Sequence, residues 1–434
     1  MKKKNCRTAA YLLLLLCLTF GGCAFVPLNP DPVPDSTSWM KPERGQEATG
    51  TVPDFIMASE PRRESELHTL EESSPMEDSP EEYSFLEEGS GFAYKTLSDA
   101  ERLWYHDMEQ ILGGCLTEIK LSEEALAEGL NESHIDRIFQ CVLNDHPELF
   151  YVEGYSYTKY TRYGREDEIL SVEFSGRYSM DLDTAKQRQT RIREAVDAVL
   201  EGVDANASQY EKVKYVYETV IRETDYCLDS EDNQNIYSVF VNHLSVCQGY
   251  AKATQYLLNR LGVECALVLG TVESGEGHAW NLVNIDGSYY YVDTTWGDAS
   301  YQLDEGSTEI PRTMPEINYD YLNVTTAEIC RTHNLDRALQ MPECTDIAAN
   351  YYVMEGALFA DYDREQMQTL FQRTLEQGRS DVTVKCTTRA CYDEVYNTLV
   401  EQKGIFDYIP GNGLSVAYTQ NDIQLSLTFW VTND

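Results

Sequence analysis

Three short stretches carry residue types that together can do acyl-transfer chemistry. They are Ser245-Val246-Cys247-Gln248-Gly249-Tyr250-Ala251, His278-Ala279-Trp280-Asn281 and Tyr291-Val292-Asp293-Thr294-Thr295-Trp296. A cysteine nucleophile needs thiolate character, a proton shuttle and an oxyanion site. Cys247 can be the nucleophile and His278 the base that accepts and returns a proton near neutral pH. Asp293 can fix the tautomer of that base and stabilise its imidazolium. The oxyanion site would combine the backbone N–H of Cys247 with one side-chain donor, for which Gln234, in Asn233-Gln234-Asn235, is the candidate. Trp280, Gly249 and Trp296 are candidates to border the substrate cleft, Trp280 as a wall and Trp296 packed behind the strands. Taken singly, each triad residue has a bland reading: a buried cysteine, a structural histidine, a turn carboxylate. The combination in this order has few such readings.

The elements that must position these groups can be read around them. Gln248 to Leu261 reads as a helix with Ala251, Thr254, Leu257, Leu258 and Leu261 inward, and Gly262 is the expected left-handed residue after its end. Cys247 therefore stands at a helix N-terminus, where unpaired N–H groups and the macrodipole point at the sulfur. Val263 to Val272 reads as a strand. His278 to Ile285 and Ser288 to Thr295 read as two more, joined by Asp286-Gly287, a two-residue hairpin signal. That turn sets Ile285 opposite Ser288, hence His278 opposite Thr295 and Trp280 opposite Asp293. His278 and Asp293 then share one face as diagonal neighbours, ~7–8 Å apart along the backbone and within side-chain reach. A slip of one residue would separate them.

Around this core, 434 residues leave room for two or three domains. The formal charge is −39, a surface that repels nucleic acid and anionic lipid headgroups and favours neutral or cationic partners. Lys2 to Lys4 and Arg7 precede an apolar run, Ala9 to Phe20, too short for a comfortable membrane span, and then Gly21-Gly22-Cys23. This resembles the lipobox of bacterial lipoproteins, and the resemblance implies that Cys23 is lipidated and anchors the chain on the extracytoplasmic face of the cell membrane. Residues 1–22 are then a signal peptide and 23–95 an acidic, proline-rich tether. Nine of the fourteen prolines lie between Pro27 and Pro80. Such a stretch cannot bury enough surface to offset its ordering entropy, and as a flexible chain it spans roughly 45 Å.

Residues 96–204 read as a helical and hairpin region. A capping box, Ser98 with Glu101, opens a helix whose apolar stripe is Leu103, Trp104, Met108, Ile111 and Leu112. Further helices start near Ser122 and run from about Ser133 to Asn144, and Asp145-His146-Pro147 is a breaker. Phe150 to Arg162 and Ile169 to Tyr178 read as strands, and Thr184 to Leu200 and Ala207 to Glu223 as helices. The core spans 205–340. Residues 345–434 read as a small α+β accessory domain in the order βαβαββ. Its first strand is Tyr351 to Leu358, and its last holds Ile423, Leu425, Leu427 and Phe429 in alternation.

Twelve cysteines remain to be placed. With Cys6 and Cys17 in the signal, Cys23 lipidated and Cys247 the nucleophile, eight are left. They fall as neighbours, 115 with 141, 227 with 265, 330 with 344 and 386 with 391, so up to four bridges can form outside the cytoplasm, with buried free thiols the other reading. No C-x-x-C or His/Cys cluster has zinc spacing, so no structural metal is inferred.

The stretches Val246-Cys247-Gln248-Gly249-Tyr250-Ala251, His278-Ala279-Trp280-Asn281 and Val292-Asp293-Thr294-Thr295-Trp296 resemble the bacterial transglutaminase-like superfamily over about residues 205–335. Tyr321-Leu322-Asn323-Val324 through His333 resembles the tail that follows such cores. The resemblance implies a papain-like α+β fold, with the cysteine helix packed on an antiparallel sheet, and a triad of Cys247, His278 and Asp293 that needs no cofactor. Its members include peptidases, amidases, cross-linking enzymes and inactive binders. The expectation is a membrane-anchored cysteine enzyme acting through a thioester on peptide or amide bonds of a protein or peptide substrate, by hydrolysis. The alternatives are protein-glutamine amine transfer and a non-catalytic peptide- or glycan-binding lipoprotein. The sequence does not give the oligomeric state.

Overall fold

The computed structural model describes residues 46–51, 91–162, 165–298, 315–336, 339–409 and 415–432. The signal segment, Cys23 and most of the tether lie outside the described residues. Two compact units are present. One holds the described residues up to Arg191 together with Asp225–Asn233, and the other holds Ile192–Thr224 and the described residues from Gln234 on.

In the first unit, strand β1 (Gln46–Thr51) is followed by helix α1 (Asp99–Gly113), β2 (Ile119–Lys120), α2 (Ile135–Asp145), β3 (Val152–Arg162) and β4 (Arg165–Tyr178). The sheet order is β1-β3-β4-β2. α1 opens on the expected capping box, with the Ser98 hydroxyl accepting from the Glu101 N–H and the Glu101 carboxylate accepting from the Ser98 N–H. Trp104, Met108, Ile111 and Leu112 are buried, whereas Leu103 faces solvent at 38% exposure, so the buried stripe is narrower than expected. They pack with the α2 face of Ile135, Ile138, Phe139 and Val142, which covers Tyr155 and Phe174 stacked on β3 and β4. β1 corrects the reading of 23–95 as wholly unstructured. It pairs antiparallel with β3, Gln46 opposite Lys159 and Thr51 opposite Gly154. The edge of β3 offers unpaired backbone groups that an extended segment can satisfy whatever its side chains, and periodicity does not register such pairing.

The second unit takes the C-terminal part of α3 (Leu182–Leu200), then α4 (Gln209–Glu223) and α5 (Cys247–Arg260). β5 (Cys265–Val272), β6 (Gly277–Ile285), β7 (Ser288–Val292), the short helix α6 (Thr294–Gly297) and β8 (His333–Leu335) follow. These strands form an antiparallel sheet in the order β8-β5-β6-β7. The β6–β7 register is the expected one, Ile285 opposite Ser288 and Asn281 opposite Val292. Asp286 and Gly287 take φ of 51° and 92°, the left-handed pair that a two-residue turn requires. Beyond Val292 the expected strand stops, because Asp293 caps α6 instead, so Thr295 is helical and does not pair with His278.

The C-terminal sheet comprises β9 (Leu358–Phe359), β10 (Asp381–Cys386), β11 (Ser415–Asn421) and β12 (Ser426–Thr432) in the order β9-β10-β12-β11. Helices Arg364–Glu376 and Arg389–Tyr396 interleave with them, which preserves the βαβαββ order. Two details differ from expectation. Tyr351–Met354 is a helical turn, because the Asn350 side chain accepts from the Tyr352 N–H and caps it, so the strand is only Leu358–Phe359. Ile423 lies in the turn before β12 and is 49% exposed, so only Leu427 and Phe429 of the alternating set are buried on the strand. All nine described cysteines are free thiols, and none of the four neighbouring pairs is bridged. No described helix is long and apolar enough to cross a membrane.

Asp320, in the helical turn Tyr319–Tyr321, fastens that turn to the C-terminal sheet. Its Oδ1 accepts from Lys385 Nζ at 2.9 Å and from the Tyr352 hydroxyl at 3.1 Å, and its Oδ2 accepts from Asn421 Nδ2 at 3.0 Å and Ser426 Oγ at 2.6 Å. The Asp320 and Lys385 side chains are 3% and 2% exposed. Removing one partner of such a pair leaves a buried charge unpaired, whereas replacing both with apolar groups is often neutral. Asp320→Ala is therefore expected to lower the stability of the full chain by about 3–5 kcal/mol, read by urea unfolding, while Asp320→Leu with Lys385→Met recovers only the part due to the unpaired lysine, since Tyr352, Asn421 and Ser426 still lack their acceptor. Equal losses in the single and double variants would contradict the account.

Candidate active site

Cys247 is the first residue of α5, and the residue before it, Val246, has no side chain able to cap the first-turn N–H groups. A Ser or Asp there would fill that space. α5 is fastened to the hairpin by polar contacts that fix where the sulfur sits. Asn281 Nδ2 on β6 donates to the Ala251 carbonyl at 2.9 Å, and Thr254 and Thr294 share a hydroxyl contact of 3.1 Å. The Tyr250 hydroxyl lies 2.8 Å from the Thr224 carbonyl and 2.9 Å from Asp298 Oδ2. Between them Ala251 packs on Leu267 and Ala279, small residues that let helix and sheet approach. Gly262 takes φ of 72° just past the helix end, as the sequence indicates.

His278 Nε2 donates to Asp293 Oδ2 at 2.8 Å. The Cys247 side chain lies close enough to His278 to act on the charge of its ring. The three groups are 2%, 6% and 0% exposed for Cys247, His278 and Asp293. Burial works against a charged His278 ring, yet the Asp293 carboxylate and the Cys247 side chain outweigh it and push the imidazole up to about 10. Burial likewise works against the Asp293 carboxylate, and the two histidines beside it hold it well below the usual carboxylate range.

Of the residues proposed to border a cleft, Trp280 is fully buried and stacks on His278 with ring centroids 5.8 Å apart, so it backs the imidazole and presents no surface to a substrate. Gly249 is buried in the first turn of α5. Trp296 is half-buried, with its ring 6.2 Å from His278. Gln234 is half-buried in the turn before Ile236, and among the described residues no hydrogen bond joins it to the triad. Gly270 stands opposite His278 on β5, where a Cβ would come within 2.6 Å of the Trp280 ring and 2.1 Å of the Asn334 carbonyl oxygen, so only glycine fits.

Sequence reasoning missed His333. Its Nε2 lies 2.9 Å from the same Asp293 Oδ2. The sequence signal was faint: His333 ends the tail segment, on a strand of only three residues. His278, Asp293 and His333 are also the one group among the described residues that could hold a metal ion, with ligand atoms within 4.8 Å of one another. In this arrangement both imidazole nitrogens instead make hydrogen bonds to the carboxylate.

The family profile of the transglutaminase-like superfamily matches residues 196–294. This segment is a transglutaminase-like core. It takes in α4, α5 and the β5–β7 sheet with Cys247, His278 and Asp293. Among solved structures the chain is similar to a TGase at 13% identity, over 37% of this chain and 49% of that one, with a TM-score of 0.25. It is also similar to a candidate cysteine protease from Cytophaga hutchinsonii, at 14% identity over 32% and 52% of the two chains, TM-score 0.22. A candidate protease from Parabacteroides distasonis gives 14% identity over 30% and 29%, TM-score 0.20. The chain thus spans about half or less of the length of these relatives. No curated protein matches it.

The charge arrangement in the transglutaminase-like core predicts a titration. In Asp293→Asn the burial of His278 remains while the carboxylate is gone, so its pKa is expected to fall from about 10, with only the Cys247 side chain left to oppose burial. Imidazole carbon chemical shifts followed against pH would show it, and a value still near 10 would contradict the pairing. In the native chain the same pair contributes stability that is complete below the unfolded imidazole value of ~6.5. That stability is lost as pH rises through about 10.

Proposed function

We propose that the transglutaminase-like core is a cysteine acyltransfer enzyme that attacks peptide or amide carbonyls through a thioester on Cys247 and resolves it by hydrolysis. The observation that carries this reading is the single imidazole of His278, held by Asp293 on one nitrogen with the buried Cys247 side chain close enough to act on its charge. Cys247 Sγ adds to the carbonyl carbon, and its proton is held by His278. The imidazolium then gives that proton to the departing amine as the C–N bond breaks, leaving the thioester. Water attacks the thioester with His278 as base, the C–S bond breaks, and the acid leaves with the thiol restored. The developing oxyanion would be stabilised at the uncapped first turn of α5, with the backbone N–H of Cys247 as one donor. The second donor proposed for that oxyanion, Gln234, would have to be brought to it by substrate.

A second reading is amine transfer, in which a primary amine replaces water. It is favoured by the burial of all three groups, because a thioester outlives hydrolysis only where water is kept away. Both readings take a protein or peptide substrate, and the N-terminal sequence adds a lipid anchor on Cys23 at the outer face of a cell membrane.

The deciding experiment is alkylation by iodoacetamide across a pH series. Cys247 is expected to react with a rate midpoint that moves upward in His278→Ala, towards the ~8.5 of a free thiol. An unchanged midpoint would sink the enzymatic reading. Candidate substrates are then incubated with and without an added primary amine. Release of free acid in both cases assigns hydrolysis, and capture of the amine assigns transfer. For the anchor, cells expressing the full chain are expected to incorporate labelled palmitate, and Cys23→Ala to lose the label. Equal labelling of the variant would remove Cys23 as the lipid site.

A further inference from the structure

We propose that His333 is a positioning residue of this site: it holds Asp293 by Oδ2, so that the carboxylate keeps one lone pair aimed at His278. The proposal rests on the reading that Cys247 and His278 do the chemistry. Its basis is a count of donors on one carboxylate. An ionised carboxylate has about four acceptor positions. On Asp293, Oδ1 accepts from the N–H groups of Thr295 at 2.9 Å and Trp296 at 3.1 Å. Oδ2 accepts from His278 at 2.8 Å and His333 at 2.9 Å. Each oxygen is thus occupied twice, and the group cannot rotate or tilt without giving up a bond in a place where no water replaces it.

The ring of His333 is itself fixed. Its Nδ1 lies 2.8 Å from the Thr332 hydroxyl, and its side chain has no solvent exposure. Trp280, Trp296, Tyr321 and His278 surround it, with ring centroids at 4.9, 4.8, 5.8 and 5.2 Å. A buried histidine that only filled this space would bear the cost of desolvating two polar nitrogens for no gain over a leucine. Here both nitrogens are used, one on the group that orients the base. β8, which carries His333, lies across β5 from β6, so the tail segment reaches the triad from the side opposite β7. His333 touches neither the sulfur nor any reacting atom, and its effect passes through Asp293 and His278.

The test compares His333→Leu, His333→Gln and His333→Asn in the full chain. The readout is the iodoacetamide alkylation rate of Cys247 at neutral pH, with thermal unfolding as the check on the fold. Leu removes the donor. Gln places an amide N–H near the Nε2 position, and the shorter Asn does not reach it. His333→Leu is expected to slow alkylation about tenfold, the low end of what losing an outer hydrogen-bond partner costs at metal sites. His333→Gln is expected to restore most of the rate and His333→Asn not to. A purely packing role predicts instead that Leu and Gln lower the unfolding temperature while alkylation stays at the wild-type rate, which would overturn the proposal. If His333→Leu does not fold, wild-type alkylation in His333→Asn overturns it equally. Stoichiometric zinc binding by the wild-type chain that His333→Gln abolishes would overturn it as well, assigning the ring to a metal. His278→Ala run in parallel separates the two levels. A slowed His278→Ala beside an unaffected His333→Leu defeats only the positioning role, whereas an unaffected His278→Ala defeats the triad itself.

Discussion

A carboxylate without solvent exposure is costly to keep ionised, by several kcal/mol after relaxation, unless its lone pairs are all engaged. Asp293 meets that condition with donors from three separate elements: its own helix turn, β6 and β8. The requirement shapes the chain on both sides of it. β7 ends at Val292, and α6 begins at Thr294, so that Asp293 is a helix cap through Oδ1 and the partner of two histidines through Oδ2. The capping role is local, and Asp is among the residues that favour it. It therefore aims the second oxygen before any long-range contact forms. The histidines must then arrive from residues 15 and 40 positions away, and the antiparallel order β8-β5-β6-β7 is what delivers them.

Placing the sulfur against this anchored base is a separate problem, and helix-to-sheet contacts solve it. A helix start is free to slide along a sheet unless side chains lock it. Asn281 reaches the Ala251 carbonyl from the strand that carries His278, and Thr254 meets Thr294 beside Asp293. Cys247 and the other two groups are thus tied through neighbours one turn or one strand pair away. The same device appears away from the chemistry. Asp320 gathers Lys385, Tyr352, Asn421 and Ser426 around one buried carboxylate and thereby joins the C-terminal sheet to the rest of its unit.

The hairpin and the base–carboxylate pair were legible in the sequence because local chemistry determines them. Asp286-Gly287 fixed the β6–β7 register, and register fixed the face. The helix starting at Cys247 could be read from its periodicity and Gly262. The parts that could not be read depend on partners distant in sequence. β1 is held by the backbone edge of β3, which leaves no mark in its side chains. Tyr351 and Tyr352 carry strand-favouring side chains, but the Asn350 cap and burial against the core override that preference. His333 shows no periodicity on its short strand, and its meaning exists only beside Asp293. Cysteine spacing left bridges and free thiols both open, and the nine described cysteines are free.

Burial of the triad constrains the chemistry in two directions at once. Exclusion of water strengthens the attraction between the His278 ring and Asp293, which is how an imidazole with its surroundings set against charge is still pushed up to about 10. The same exclusion leaves Cys247 only 2% exposed, so on the proposed reading water would need a path to a thioester there. Trp296, half-buried beside His278, is the aromatic group of this cluster that retains contact with solvent. On the proposed reading, the choice between water and an amine would then rest on access beside that tryptophan rather than on the charged groups themselves. On the proposed reading, hydrolysis and amine transfer would differ in access to one set of charged groups, not in the groups themselves.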